Sequence, residues 1–450
     1  MNYLPLLISL TTATLLTAGT ISKTPIDSSL VVYNGNLGLV HENRTMQLDK
    51  GNQALIYKDV ASSVITDSVN VTFPKGVTLY SQQYRFDQIN AHKLAQAHLG
   101  KEVKFYITTG SELMYKNGTL LSASSQAVIK TAQNEIYTVP TSALIFSKIP
   151  KSLLTKPSLV WNIKAPKASQ STLSMDYLVK NISWQSNYVL NLQKEHADIT
   201  GWITINNRSG KAFVNTELIV LAGDINRVTA SQPRYYRAVP VMADGEAAMA
   251  QEVAHEGYHL YRLPFKVNLS NNESTQLKFL NITHIPVTRK YKVQLNSPFY
   301  ANGEQKYSVM QSLEIASLEQ PLPMGTIRSY SKQDNTTLLL GESHINHTPE
   351  HEKINVTLGK NFDILVKSKM LSNNSDRYYN DVKVSYEVTN RSKESKTIEL
   401  LIPFVKRSDN QNSIKTSHKY SWKDGNTLLF NVSVKADNKK SFEVHFRAKK

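Results

Sequence analysis

The feature that most limits what this chain can become is alternation. Runs such as Leu30-Val31-Val32-Tyr33, Ala54-Leu55-Ile56-Tyr57, Val69-Asn70-Val71-Thr72-Phe73 and Lys101 to Ile107 are rich in β-branched and aromatic residues. Successive side chains of a strand point to opposite faces, so a repeat of two predicts strands with one buried face. Asn34-Gly35, Lys50-Gly51, Pro74-Lys75-Gly76 and Asn117-Gly118 interrupt these runs at hairpin spacing. Helical windows are scarce. One short helix is expected from an Asp87 cap through Ile89, Leu94 and Leu99, with Gly100 as its stop.

The same pattern continues with longer runs, among them Leu173 to Val179, Tyr188 to Leu192, Ile199 to Ile205, Ile354 to Leu358, Val382 to Val388 and Leu428 to Val434. So many strands with so little helix predict a mainly β protein of tandem antiparallel β-sandwich-like domains with one or two short helices. The expected boundaries are a leader at 1–22, an N-terminal β-rich domain at 23–170, a central β domain at 171–318 and a C-terminal β-sandwich at 319–450. A flexible excursion near 226–257 breaks the alternation of the central block. No coiled-coil heptad is visible, and no repeat with a period of roughly 20 to 50 residues.

Composition narrows the chemistry. Cys is absent, which excludes disulfide frameworks, thiol nucleophiles and cysteine-based metal sites. The 52 Lys and Arg against 36 Asp and Glu give a net charge of +16, which favours anionic neighbours. The apolar run from Tyr3 to Ala18, closed by Thr17-Ala18-Gly19, reads as a secretory signal peptide although no Lys or Arg precedes it. No later stretch approaches the roughly 18 apolar residues of a spanning helix, so the mature chain is expected to carry no transmembrane segment. Export without cysteine points to a bacterial periplasm, outer surface or secreted location. Asn-x-Ser/Thr triplets are frequent, including those at Asn43, Asn70, Asn117, Asn181, Asn207, Asn281, Asn335, Asn355 and Asn431. Alternation in an Asn- and Thr-rich chain generates them without glycosylation.

The series Tyr188 to Asn191, Gly201-Trp202, Asn207-Arg208-Ser209-Gly210, Leu221 to Asn226, Tyr258 to Pro264, Pro323 to Arg328, His347-Thr348-Pro349 and Leu358 to Asp363 resembles the bacterial mucoidy-inhibitor A-like family, a domain of unknown function. Gly38 to Glu42 and Gln82 to Asp87 fit its short members. The resemblance implies an exported, β-rich protein without an established activity, in the short form that lacks the coiled coil.

Several constellations invite a chemical reading. His255-Glu256-Gly257-Tyr258-His259 matches the zinc-peptidase pattern, which needs a helix to bring both imidazoles to one metal. Leu260 to Phe265 continue as a strand, on which residues four apart lie about 13 Å from each other, so His255, Glu256 and His259 are read as structural. His344, His347 and His351, with Glu342 and Glu350, are a weaker divalent-metal candidate in a proline-containing loop. Arg234-Tyr235-Tyr236-Arg237, fitting neither alternation nor a core, is a candidate binding element, and so are Lys439 and Lys440 in the basic C-terminal stretch. Trp161, Trp184, Trp202 and Trp422 are expected in packing, and Asp224 and Asp363 follow strands as conceivable paired carboxylates. No phosphate-binding glycine loop or Gly-x-Ser-x-Gly elbow is present.

The expected function is therefore binding or scaffolding at the cell envelope, without enzymatic activity or cofactor. The expected partner is an envelope protein or an acidic glycan or lipid surface rather than nucleic acid. A secreted hydrolase of envelope glycans or peptides is the alternative, and a metal-dependent enzyme built on the histidine loop a third.

Overall fold

The structure is a computed structural model, and it describes residues 19–150, 152–223, 251–255, 258–300, 303–406 and 413–450. Strands make up 67% of the described residues and helix 4%, so backbone hydrogen bonds are met mainly between strands. The mainly β, sandwich-like, multidomain architecture expected from the alternation is the one that forms.

The chain gathers into two compact units. The first comprises the described residues up to Ser183, with Asn206–Leu221 and Phe265–Ser274; the second comprises Trp184–Ile205, the described part of Ala222–Pro264, and Thr275–Lys450. The central block, expected as a domain of its own at 171–318, is divided between them. Pairing explains the division. Glu217–Leu221 run parallel to Ser29–Tyr33, which draws a late strand into a sheet begun near the N-terminus.

In the first unit the strands Phe213–Ala222, Asp27–Tyr33, Leu37–Leu48, Ser169–Lys180 and Asn70–Thr72 lie side by side in that order. Their burial alternates as the sequence does, with Leu30, Val32, Val40, Met46, Leu173 and Met175 fully buried. Each such side chain contributes roughly 1.5–3 kcal/mol relative to an exposed one. A separate five-stranded sheet spans Glu102–Thr109 to Leu144–Ile145. It shares a core of Val103, Phe105, Leu120 and Ile129 with Ala95 of the helix Ala91–Ala97.

That helix starts later than Asp87. Asn90 is its cap, its Oδ1 accepting from Lys93 N at 2.8 Å, while the Asp87 carboxylate accepts from Leu154 N at 2.8 Å and Lys93 Nζ at 3.2 Å. A carboxylate three residues too early is free to tie down a neighbouring loop instead. Gly100, at φ 72°, follows the helix as expected of a stop.

In the second unit Glu304–Ile315, Ile354–Asn373, Tyr379–Asn390 and Asn438–Lys449 are successive antiparallel neighbours. Val366, Val384, Tyr386, Ile398, Phe430, Val444 and Phe446 form the core beneath them. Two parallel pairings depart from the all-antiparallel expectation here: Tyr291–Gln294 with Ile398–Leu401, and Ser186–Leu192 with Gly325–Ser331. Alternation marks which residues face inward but carries no strand direction, and parallel neighbours are joined by long connections that leave no local signal. Among the described residues no helix is long and apolar enough to cross a membrane.

Candidate functional site

The inward row of the Leu37–Leu48 strand reads Gly38, Val40, Glu42, Arg44, Met46, Leu48, every one of them buried. Two of these are charged. Side chains two apart on a strand share a face, so Glu42 and Arg44 stand side by side inside an otherwise apolar layer, each with a side chain 2% exposed. Arg44 Nε and Nη2 donate to Glu42 Oε2 at 3.2 and 2.7 Å. The Tyr57 hydroxyl donates to the same oxygen and Lys211 Nζ to Oε1. The remaining guanidinium nitrogen of Arg44 donates to the carbonyl of Lys58 at 3.0 Å, and the guanidinium lies 3.9 Å over the Tyr57 ring. Lys211 Nζ also donates to the Tyr177 hydroxyl at 3.4 Å and lies 5.9 Å from the Phe213 ring.

Lys211 reaches this layer from a loop held chiefly by the side chain of Asn207, with Asn271 Oδ1 accepting from Gly210 N at 2.9 Å. Asn207, 1% exposed, donates from Nδ2 to the carbonyls of Lys211 (2.8 Å), Ser270 (3.1 Å) and Leu269 (3.4 Å), and its Oδ1 accepts from Ser209 N (3.2 Å) and Ser209 Oγ (2.8 Å). Arg208 N donates to Asn181 O at 2.8 Å. Gly210 completes the loop at φ 84°, where a Cβ would lie 1.7 Å from Ser62 Oγ, so no side chain fits. Fixing the Lys211 backbone in this way aims its side chain at Glu42. It also closes Asn207 to glycosylation in the folded chain.

Environment sets the charge states. Burial raises the Glu42 carboxyl, but the charges of Lys211 and Arg44 and the hydrogen bonds from Lys211 and Tyr57 outweigh it, leaving Glu42 below its ordinary range. Burial pulls Lys211 down, opposed by the Glu42 charge and reinforced by that of Arg44. Burial, then the Glu42 charge, pushes the Tyr57 and Tyr177 phenols far up, so both remain neutral.

This cluster forms the floor of a cleft of about 350 Å³ in the first unit. Ile26 and Val214, 59% and 66% exposed, stand at its mouth beside Ala212. The buried hydroxyls of Ser28 and Thr216 share a 2.8 Å hydrogen bond in its wall. Nearby, His41 Nδ1 donates to Asp176 at 2.7 Å while Nε2 accepts from Asn43 at 3.2 Å, so both ring nitrogens are engaged.

Of the residues singled out in the sequence, Arg234, Tyr235, Tyr236, Arg237, Asp224 and Glu256 lie outside the described residues, as does the leader through Ala18. His255 ends one strand and His259 lies near the start of the next, with Ala254 opposite His259 and His255 opposite Tyr258. This is a hairpin, not the helix a zinc peptidase requires. His344, His347 and His351 are exposed and do not converge; among the described residues no group of three or more His, Asp or Glu is placed to hold a metal. His347 Nδ1 instead accepts from Met324 N at 3.2 Å. Lys439 and Lys440 are exposed on the Asn438–Lys449 strand, with Lys439 3.7 Å from Glu387. Trp161 is fully buried, packed edge-on against Tyr57 and Phe73, and Asp363 is exposed.

The Glu42–Arg44–Lys211 cluster was not singled out, yet half of its signal is in the sequence: two charges in succession on an inward row. Lys211, 169 residues from Glu42, gives no such sign. No family model matches the chain, and no curated protein matches it.

Proposed function

We propose that this is an exported cell-envelope protein, of the mucoidy-inhibitor A-like kind in its short form, that works by binding or scaffolding and uses the first-unit cleft as its binding site. The observation that carries the reading is how the cleft's ionisable groups are used. Glu42 accepts donors on both carboxylate oxygens and titrates below its ordinary range. Tyr57 and Tyr177 hold their protons far above neutrality. General acid–base catalysis needs a group that exchanges its proton near the working pH. Glu42, Tyr57 and Tyr177 are arranged instead to present fixed charge and shape, which is what recognition uses. The chain's +16 charge favours an acidic envelope partner.

The test has two arms. The chain produced with its leader in a bacterial host is expected outside the cytoplasm in processed form. The mature chain, immobilised, is expected to retain an envelope component that the cleft-filling variant Ala212→Trp does not. An unprocessed cytosolic product removes the export reading, and identical retention by both proteins removes the cleft as the binding site.

A further inference from the structure

We infer that the cleft takes a small, singly charged organic anion, its carboxylate against Lys211 and its apolar part over Ile26 and Val214. The inference rests on the reading of this cleft as a binding site, and adds the class of ligand. Charge counting leads to it. Two cations, Arg44 and Lys211, with side chains 2% and 7% exposed, share one carboxylate, that of Glu42. The surrounding phenols stay neutral. Of the other acids at the cleft, Asp59 pairs with Lys156 at 3.0 Å while its charge also bears on Lys211, and Asp27 accepts from Asn43 at 2.9 Å. Inside the buried floor two basic side chains thus share one carboxylate, and burial and the Arg44 charge work against the protonated form of Lys211. An uncompensated charge in a low-dielectric layer is costly and is relieved by a counter-charge at close range.

The two cations differ in what they can still offer. Arg44 turns Nε and Nη2 to Glu42 and Nη1 to the carbonyls of Lys58 and Ser22, so its fork is filled by the protein. An ammonium carries three donors, and among the described residues those of Lys211 reach Glu42 and, at 3.4 Å, Tyr177. Lys211 is therefore the cation that a ligand carboxylate meets with a charge-assisted hydrogen bond. The mouth selects the rest of the molecule. Ile26 and Val214 are large apolar side chains at 59% and 66% exposure beside Ala212, a surface that an acyl or aryl group covers and a bare inorganic ion does not. A volume of about 350 Å³ accommodates a carboxylate with a short chain, not a polymer.

The mature chain is titrated calorimetrically with sodium octanoate, with octanamide as a neutral probe of the same shape and inorganic phosphate as an anion without an apolar part. Octanoate is expected to bind at one site, at least tenfold more tightly than either. Lys211→Met is expected to weaken octanoate at least tenfold. Ala212→Trp, at an exposed position lining the cleft, is expected to abolish binding with an unchanged circular-dichroism spectrum. Where Lys211→Met does not fold, Ala212→Trp decides alone. Equal affinity for octanoate and octanamide, tighter binding of phosphate, or unchanged octanoate binding by Ala212→Trp overturns the inference. Octanoate binding without envelope retention leaves the inference standing and removes the envelope reading. Retention sensitive to Ala212→Trp without octanoate binding does the reverse.

Discussion

The two units contain the same loop, made from the same tripeptide, and use it differently. In the first, Asn207-Arg208-Ser209 follows a strand; in the second, Asn390-Arg391-Ser392 does. Asn390 is fully buried, donates from Nδ2 to the carbonyls of Glu394 (2.8 Å), Lys435 (3.0 Å) and Val434 (3.2 Å), and accepts from Ser392 N (3.0 Å) and Oγ (2.7 Å) at Oδ1. Arg391 N donates to Asp363 O at 2.8 Å, as Arg208 N does to Asn181 O. The residue four after the asparagine differs. Lys211 turns inward to Glu42, whereas Glu394, with a side chain 64% exposed, meets Lys396 at the surface. The asparagine clasp is thus what the fold requires, and the buried charges of the first unit are an addition to it.

The largest test of that distinction is Glu42→Gln, which leaves Arg44 and Lys211 buried without an anion. It is expected to lower stability by about 3–5 kcal/mol in denaturant titration, whereas Glu394→Gln is expected to move the midpoint by no more than experimental scatter. Next come Asn207→Ala and Asn390→Ala. Each leaves buried carbonyls without a donor and is expected to cost about 2–3 kcal/mol, with similar values for the two; a large inequality would break the equivalence of the loops. The triple change Glu42→Leu, Arg44→Met, Lys211→Met sharpens the comparison, because apolar replacement of a buried ionic set is often neutral or stabilising. A folded triple variant, at least as stable as the parent and unable to bind octanoate, separates the clasp from the cluster. Failure of that variant to fold would make the cluster part of the fold.

Smaller effects follow from titration. Glu42 has a folded pKa below its ordinary value of 4.5, so its stabilisation is complete above that value and is lost as pH falls through the folded one. The parent is expected to lose stability more steeply with acid than Glu42→Gln. Tyr57, Tyr177, Tyr188 and Tyr386 are all raised by burial above the ordinary 10.0. Their contribution is present below that pH and lost above it, where only the unfolded chain ionises. Alkaline unfolding should therefore coincide with the appearance of tyrosinate absorbance, and tyrosinate appearing before unfolding would contradict it.

Much of the fold was legible because strand periodicity is local. Leu37–Leu48 and Gly51–Lys58 form about the turn with Gly51 at φ 101°, as Lys50-Gly51 and the alternating runs suggest. The helix cap was misplaced from Asn90 to Asp87 because both residues suit the role, and the partner at Leu154 that claims Asp87 is distant. The zinc-peptidase pattern at His255 reads as structural from the sequence because a strand follows it. Spacing along the chain measures approach only when the secondary structure is known, and in the hairpin His255 faces Tyr258 rather than His259.

The sequence by itself determined that this protein is built of strands, without disulfides and with a basic surface, because those follow from composition and from a two-residue repeat that each segment carries alone. Only the tertiary structure decided that a strand after residue 212 lies parallel to one before residue 34, and that Lys211 meets Glu42 and Arg44 beneath a cleft. Contacts of that range are chosen by which buried faces and charges satisfy one another in space, and no local pattern records the choice.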